Sequence, residues 1–474
     1  MNIIGREKEK AELLKCMDSD KSEFVVVYGR RRIGKTHLVN CVLGNHFFFN
    51  YTGVQNITKQ QQLSLFSKSL SRQFPEHADS SNVKTWFDAF DELAKVIEKS
   101  EITEKKVIFI DEMPWIDNAK SGFVSALEYF WNGWAALRKD IVLIACGSAT
   151  SWIVDKLLHN KGGLFNRTTR HIYLRPFTLF EVEKFLDYYN FGWDRYQIAQ
   201  CYMILGGVPF YLTLLDSSMS LAQNIDMLFF SGTNASLKVE YAELYSSLFK
   251  YPDNYIAVVR SLAGKREGMN RNEIIEATSI KGETLTTILK DLERCDFVFT
   301  YMRYGNKSNN IIYRIKDFYT LFYYKFIDGQ TGRDPNRWSH SINTPQVNSW
   351  QGFSFELICL NHVESIKRKL GIAGILTEAS TWRSSNKEQK VQIDLVIDRS
   401  DRIINLCEIK FSKDVFVIDS NYEKRLRERK SQFVVETKTR KTPLITMVTT
   451  FGISKNKHSG LVSSEVLLDD LFES

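Results

Sequence analysis

The 474-residue chain reads as a multidomain α/β protein, and three observations lead there. An apolar, β-branched run at residues 24–28 feeds a glycine-rich loop and then a helical stretch. Residues 251–315 parse as three short helices followed by two strands. Residues 391–411 form two strand-like runs around a polar turn, with charged side chains inside them. Apolar residues make up 43% of the chain, enough for several cores. The net charge of +7 permits a nucleic-acid partner without requiring one. The seven cysteines form no Cys-x-x-Cys or Cys/His cluster, which argues against structural zinc and a disulfide framework. The start, "MNIIGREKEK", is charged at once and lacks a signal-peptide core. No apolar run is long enough to span a membrane. The expectation is a cytoplasmic protein with no membrane partner.

The first element is "EFVVVYGRRRIGKTHLVN" (23–40). Phe24 to Tyr28 have the continuous apolar pattern of a buried parallel strand. The loop that follows, Gly29-Arg30-Arg31-Arg32-Ile33-Gly34-Lys35-Thr36-His37, has phosphate-binding P-loop spacing in the required strand–loop–helix order. Its glycines let backbone N–H groups close around phosphates, and the helix N-terminus adds its positive end. Lys35 is expected on the β- and γ-phosphates of ATP, and the Thr36 hydroxyl on Mg2+. The second strand, "KVIFIDEMPW" (106–115), ends in two carboxylates. Asp111 suits the magnesium shell and Glu112 suits polarisation of the attacking water. A third strand, "IVLIACGSAT" (141–150), ends at Ser148, which either senses the γ-phosphate or simply closes the strand in a turn.

With these residues stand "IIGREKEKAELL" (3–14), "GSATSWI" (147–153), "LFNRTTRHIYLRPF" (164–177) and "GGVPFYL" (206–212). Together they resemble the AAA-type ATPases of the archaeal ATPase family, close to the STAND NTPases. The resemblance covers most of residues 1–230. It implies a P-loop NTPase parallel sheet followed by a helical lid. It further implies that Arg167 meets a γ-phosphate, with Arg170 competing for that role, and that Pro209 of the lid packs on the adenine. A surface ion pair is the plain alternative for both arginines.

Residues 178–230 alternate apolar and polar at helical spacing, as a lid would. In 251–315, Leu285, Ile288, Leu289 and Leu292 form a helical stripe. "FVFTYMRY" and "IIYRI" flank the polar turn "GNKSNN" as a hairpin wing would. This module resembles a winged helix-turn-helix. Its third helix exposes Thr284, Thr287, Lys290, Asp291 and Arg294, a mixed face that leaves DNA contact and protein contact both open. Residues 328–349 are polar and read as a linker.

In "VQIDLVIDRSDRIINLCEIKF" (391–411), the turn Ser400-Asp401-Arg402 would place Ile397 opposite Asn405 and Asp394 opposite Glu408. Asp394, Glu408 and Lys410 would then share one face, while Ile393, Leu395, Cys407 and Ile409 enter a core. Two carboxylates and a lysine so arranged suit a metal site for phosphodiester cleavage. Before them, in "WQGFSFELICLNHV" (350–363), Glu356 lies on the stripe of Phe353, Leu357 and Leu360 and wants a cation. Glu356, Asp394, Glu408 and Lys410 resemble the PD-(D/E)XK nuclease superfamily, with Ile393 where that family has proline. The competing view is a structural ion pair between Glu408 and Lys410. "KRLRERK" (424–430) is either a solvated helix face or a contact for a phosphate backbone.

The expected domains are an ATPase core (1–177), a helical lid (178–240), a winged-helix-like module (250–316), a connecting segment (317–349) and an α/β PD-(D/E)XK nuclease-like domain (350–474). The expected function is an ATP-binding, ATP-hydrolysing protein that gates a magnesium-dependent DNA nuclease. The alternative is a nucleotide switch whose C-terminal domain is an inactive DNA- or protein-binding module. ATP, Mg2+ and DNA are the expected partners, with a homo-oligomer as a further option.

Overall fold

A computed structural model describes the chain except residues 1–2, 77–82, 119, 160–161, 165, 233–234, 306–310, 331–333, 386–390 and 474. The chain divides into two compact units, Met1–Arg175 and Pro176–Ser474.

The first unit is built on five parallel strands: β1 (Glu23–Tyr28), β2 (Phe47–Thr52), β3 (Lys106–Asp111), β4 (Ile141–Gly147) and β5 (Arg170–Tyr173). Their order is β2-β3-β4-β1-β5, and every pair is parallel. The apolar runs make sense here because a central parallel strand is covered on both faces. Successive side chains alternate between two cores. Phe24, Val26, Ile108 and Ile110 face one core, with Phe66, Trp86, Phe90 and Phe123 from helices Lys59–Gln73, Trp86–Lys99 and Phe123–Gly133. Val25, Val27, Val107 and Phe109 face the other, with Leu13, Leu38 and Leu43 from helices Glu7–Met17 and Lys35–Leu43. Trp86 anchors the first core, its ring edge-on to Phe123 at 5.0 Å and to Phe66 at 5.6 Å. The strands expected at 24–28 and within 106–115 and 141–150 are present as β1, β3 and β4.

The second unit begins with helices Leu179–Tyr188 and Arg195–Leu205, each opened by a capping box at its N-terminus. The chain then turns sharply at Gly206-Gly207. A side chain at 207 would put its Cβ 1.9 Å from the Phe177 carbonyl oxygen, so that position admits only glycine. Helices Pro252–Ala263, Arg271–Thr278 and Gly282–Arg294 precede β7 (Val298–Met302) and β8 (Ile311–Ile315), with a short β6 (Met269–Asn270) between the first two helices. The three strands form one antiparallel sheet, β6-β8-β7. Most of the turn "GNKSNN" lies outside the described residues.

The expected linker at 328–349 is not a solvated tether. Trp338 is 4% exposed and packs edge-on against Phe322, Phe326 and Trp350. Its backbone N–H donates to Asp226 at 2.7 Å. One indole in a polar stretch outweighed the composition around it, because burying a large aromatic ring dominates local preference.

The C-terminal sheet holds β9 (Thr377–Arg383), β10 (Gln392–Arg399), β11 (Ile403–Lys410), β12 (Thr442–Thr449) and β13 (Val462–Leu467). The order is β13-β12-β11-β10-β9. The β9, β10 and β11 pairs are antiparallel, while β11, β12 and β13 run parallel. Ile397 pairs with Asn405, the register expected from the sequence. The expected alternation fails at one point. The β9–β10 pairing shifts between Ile393 and Val396, and such a bulge re-aims side chains. Ile393 therefore joins Val396, Ile404, Leu406, Trp382 and Phe433 rather than siding with Leu395 and Cys407.

Candidate functional site

In the first unit, the loop after β1 is shaped by its backbone. Gly29 has φ 143° and Gly34 φ 85°, and Arg32 between them has φ 73°. A Cβ at Gly29 would lie 2.3 Å from the Leu174 carbonyl oxygen. Gly34 opens the Lys35–Leu43 helix, so the loop's N–H groups and the helix's positive end sit at the carboxyl end of the parallel strands, where open α/β sheets bind ligands. Of the other loop residues expected here, Arg30 and Ile33 are buried, Arg31 and Arg32 are half-buried, and His37 is exposed.

Lys35 is 5% exposed. Its Nζ donates to the Arg30 carbonyl at 3.0 Å and to Ser148 Oγ at 2.9 Å. Ser148 in turn donates from its hydroxyl to Glu112 Oε1 at 2.8 Å and from its backbone N–H to Oε2 at 3.2 Å. Thr36 Oγ1 donates to Asp111 Oδ2 at 2.7 Å, and the Glu112 N–H donates to Asp111 Oδ1 at 2.9 Å. Lysine, hydroxyls and two carboxylates thus form one connected network across the ends of β1, β3 and β4. Among the described residues Lys35 is held by neutral acceptors, which an anionic phosphate oxygen would outcompete. Thr36 and Asp111 are the residues that could hold a magnesium ion here.

Arg167 lies exposed in a turn after Asn166, whose φ is 55°. Arg170 starts β5 and pairs with Glu12 of the Glu7–Met17 helix at 3.0 Å, the ion pair that stood as its plain alternative. Pro209 is the first residue of a short helix, Pro209–Leu212, in the second unit.

In the second unit the acidic residues come within electrostatic reach of one another. Glu356 is in the Pro345–Asn361 helix, whose most buried apolar residues are Phe355, Leu357, Ile358 and Cys359. Of the expected stripe of Phe353, Leu357 and Leu360, Leu357 is buried while Phe353 and Leu360 are half-buried, because neighbours cover this helix on most sides. Glu356 pairs with Arg266. Glu408 pairs with Lys410 at 2.8 Å and with Arg429, and accepts a hydrogen bond from the Tyr422 hydroxyl at 2.6 Å. Asp394 accepts from the Ile409 N–H at 3.2 Å and from Gln392 Nε2 at 3.3 Å. Burial, then the Glu356 charge, then that of Glu408, push Asp394 up to about 7. Burial also raises Glu356 against the pull of Arg266, Arg314 and Lys410. At Glu408 burial acts upward too, but Lys410 and Arg429 outweigh it and hold the carboxyl below its usual range.

The expected metal triad of Glu356, Asp394 and Glu408 does not fit an ion as arranged here. Among the described residues, no group of three His, Cys, Asp or Glu side chains is placed to hold a metal. Arginines instead neutralise two of the three acids, Arg266 at Glu356 and Arg429 at Glu408. Sequence reading missed both. Arg429 lay inside "KRLRERK", read mainly as a solvated face. Tyr422, Leu426, Arg429 and Phe433 repeat at i, i+4, i+7 and i+11, and that spacing could have placed Arg429 on the buried side. Arg266 sits in a loop with no such pattern.

The Asp394 shift has a testable sign. The folded chain keeps a proton there that the unfolded chain releases near 3.8. Folding stability from this group is therefore full below 3.8 and lost as pH rises through about 7. Asp394→Asn should leave Tm near wild type at pH 4 and raise it above wild type at pH 8. Parallel melting curves across that range check this, and an equal Tm difference at both ends would refute it.

Residues 3–215 match the model of an ATPase domain found predominantly in Archaea. An uncharacterised protein of Methanocaldococcus jannaschii is 24% identical over 440 residues, covering 91% of this chain and 92% of that protein. Among solved structures, the Walker-type ATPase of Pyrococcus abyssi superposes with a TM-score of 0.50 at 16% identity, over 68% of this chain and 96% of that one. That likeness is one of fold. The chain carries an archaeal-type ATPase domain with the P-loop NTPase fold. Among the described residues, no helix is long and apolar enough to cross a membrane.

Proposed function

We propose that this protein binds and hydrolyses ATP in its N-terminal unit and uses the nucleotide state to control a nuclease-like C-terminal domain that acts on DNA. The observation that supports hydrolysis best is the Lys35–Ser148–Glu112 chain beside the Thr36–Asp111 pair. The loop N–H groups bind the phosphates. Lys35 leaves its neutral acceptors for the β- and γ-phosphate oxygens. Ser148, freed from Lys35, reports the γ-phosphate to Glu112. Glu112 orients the attacking water and takes its proton. A magnesium ion held by Thr36 and Asp111 would supply neutralisation of phosphate charge. Arg167 is the candidate for a further positive charge at the γ-phosphate, and Pro209 for a contact with the adenine.

For the C-terminal domain, the mixed sheet and the approach of Glu356, Asp394, Glu408 and Lys410 support the nuclease-like reading. The ion pairs at Glu356 and Glu408 favour a second one, in which the domain binds DNA or protein and cuts nothing. Purified protein should release inorganic phosphate from ATP with magnesium, and should nick plasmid DNA in a manner lost in Asp394→Ala while ATP hydrolysis survives. Phosphate release without any Asp394-dependent nicking would favour the binding module. No phosphate release would leave the N-terminal unit a binding switch.

A further inference from the structure

The acids of the C-terminal domain meet cations that come from another part of the same unit. Arg266 follows the Pro252–Ala263 helix, and Arg314 lies in β8. Both belong to the small module at 250–316. Their guanidinium groups approach the ring of Phe353, at 5.1 Å and 4.9 Å. Phe353 stands one helical turn before Glu356, the residue that Arg266 pairs with. The module thus grips both the ring and the carboxylate on one side of the Pro345–Asn361 helix.

Four more contacts fasten the same junction. Glu267 pairs with Arg383 at the end of β9. Arg303, just after β7, forms an isolated parallel bridge with Thr381 of β9, and the Tyr304 N–H donates to the Thr381 carbonyl at 2.8 Å. The Tyr304 ring packs on Phe433 at 5.1 Å. A cavity at this junction is lined by Arg266, Arg314, Glu356, Gln392 and Asp394. Arg314 is 6% exposed, and its Nε and Nη2 have no hydrogen-bond partner among the described residues. A buried guanidinium in that state is costly unless carboxylates lie near to balance its charge. Glu356 and Asp394 are the acids that act on it.

We infer that the 250–316 module is a built-in inhibitor of the acidic site, with Arg266 and Arg314 supplying at Glu356, beside Asp394, the positive charge that a divalent cation would otherwise supply. This rests on the reading of Glu356, Asp394 and Glu408 as a cation site. The two arginines differ in how they leave. The Arg266 side chain is 50% exposed on a loop and can swing out alone. Arg314 is fixed in a strand and leaves only if the module withdraws. Full opening is therefore a movement of the module, and loss of Arg266 opens the site in part.

The test uses the full chain without nucleotide, with manganese chloride as the probe. Manganese affinity is measured by calorimetry and by thermal shift in wild type, Arg266→Ala, Glu267→Gln, and each combined with Asp394→Asn. Arg266→Ala should bind manganese at least about tenfold more tightly than wild type, and Asp394→Asn should remove that gain. Glu267→Gln loosens the junction without touching the acids and should move affinity the same way by less. It also guards against a folding defect at position 266. Equal, Asp394-dependent manganese binding in wild type and Arg266→Ala would overturn the inhibitor and leave the cation site standing. No Asp394-dependent binding in any variant would overturn the cation site, and the inhibitor with it.

Discussion

Lys35→Ala is expected to weaken ATP binding by about a hundredfold or more, the equivalent of losing ~3 kcal/mol of charge-assisted hydrogen bonding to the phosphates. The cost to the fold should be small by comparison. Lys35 is tied to the Arg30 carbonyl and to Ser148 Oγ, both of which can find water once the ammonium is gone. Fluorescence titration with an ATP analogue reads the affinity, and a melting curve reads the fold. Wild-type affinity in this variant would remove the loop after β1 from the phosphate site. Wild-type Tm combined with lost affinity is the expected pair of results.

Glu112→Gln should bind ATP as wild type does and turn it over about 10²–10⁴ times more slowly, the span that a general base contributes. The amide keeps the size of the carboxylate and can still accept from the Ser148 hydroxyl, which now donates to Glu112 at 2.8 Å. It cannot take a proton from water. Asp111, with the Thr36 hydroxyl on it at 2.7 Å, is untouched, so magnesium-dependent binding should persist. Single-turnover phosphate release, set beside the binding titration, separates the two effects. Turnover at the wild-type rate would assign proton removal to another group.

The nucleotide site was legible because its chemistry is local. Gly29, Gly34, Lys35 and Thr36 fall in one loop, and Asp111 and Glu112 end one strand, so spacing alone brings each set together. Ser148 was harder. Its strand end was plain, but its place between Lys35 and Glu112 depends on β4 lying between β1 and β3, which no local pattern states. The C-terminal hairpin register was also readable, since Ser400-Asp401-Arg402 fixes Ile397 opposite Asn405. The bulge between Ile393 and Val396 was not, because it arises from pairing with β9 on the far side. Arg266 was invisible for the same reason: it meets Glu356 through tertiary packing across roughly 90 residues of chain. The buried Trp338 shows the limit of composition, since one ring overrode a polar neighbourhood.

The strand order of the first unit also sets a timetable for biosynthesis. β1 leaves the ribosome well before its two neighbours in the sheet, β4 and β5. Between Tyr28 and Ile141 more than a hundred residues must be added. At ~5–20 residues per second that is a wait of roughly 5–20 s. Throughout it, Phe24-Val25-Val26-Val27-Tyr28 is a charge-free, β-prone segment with no permanent partner, the kind that nascent chains lose to aggregation. Slow translation of residues 30–140 should therefore lower soluble yield, and a holdase that shields the segment until β4 and β5 emerge should restore it.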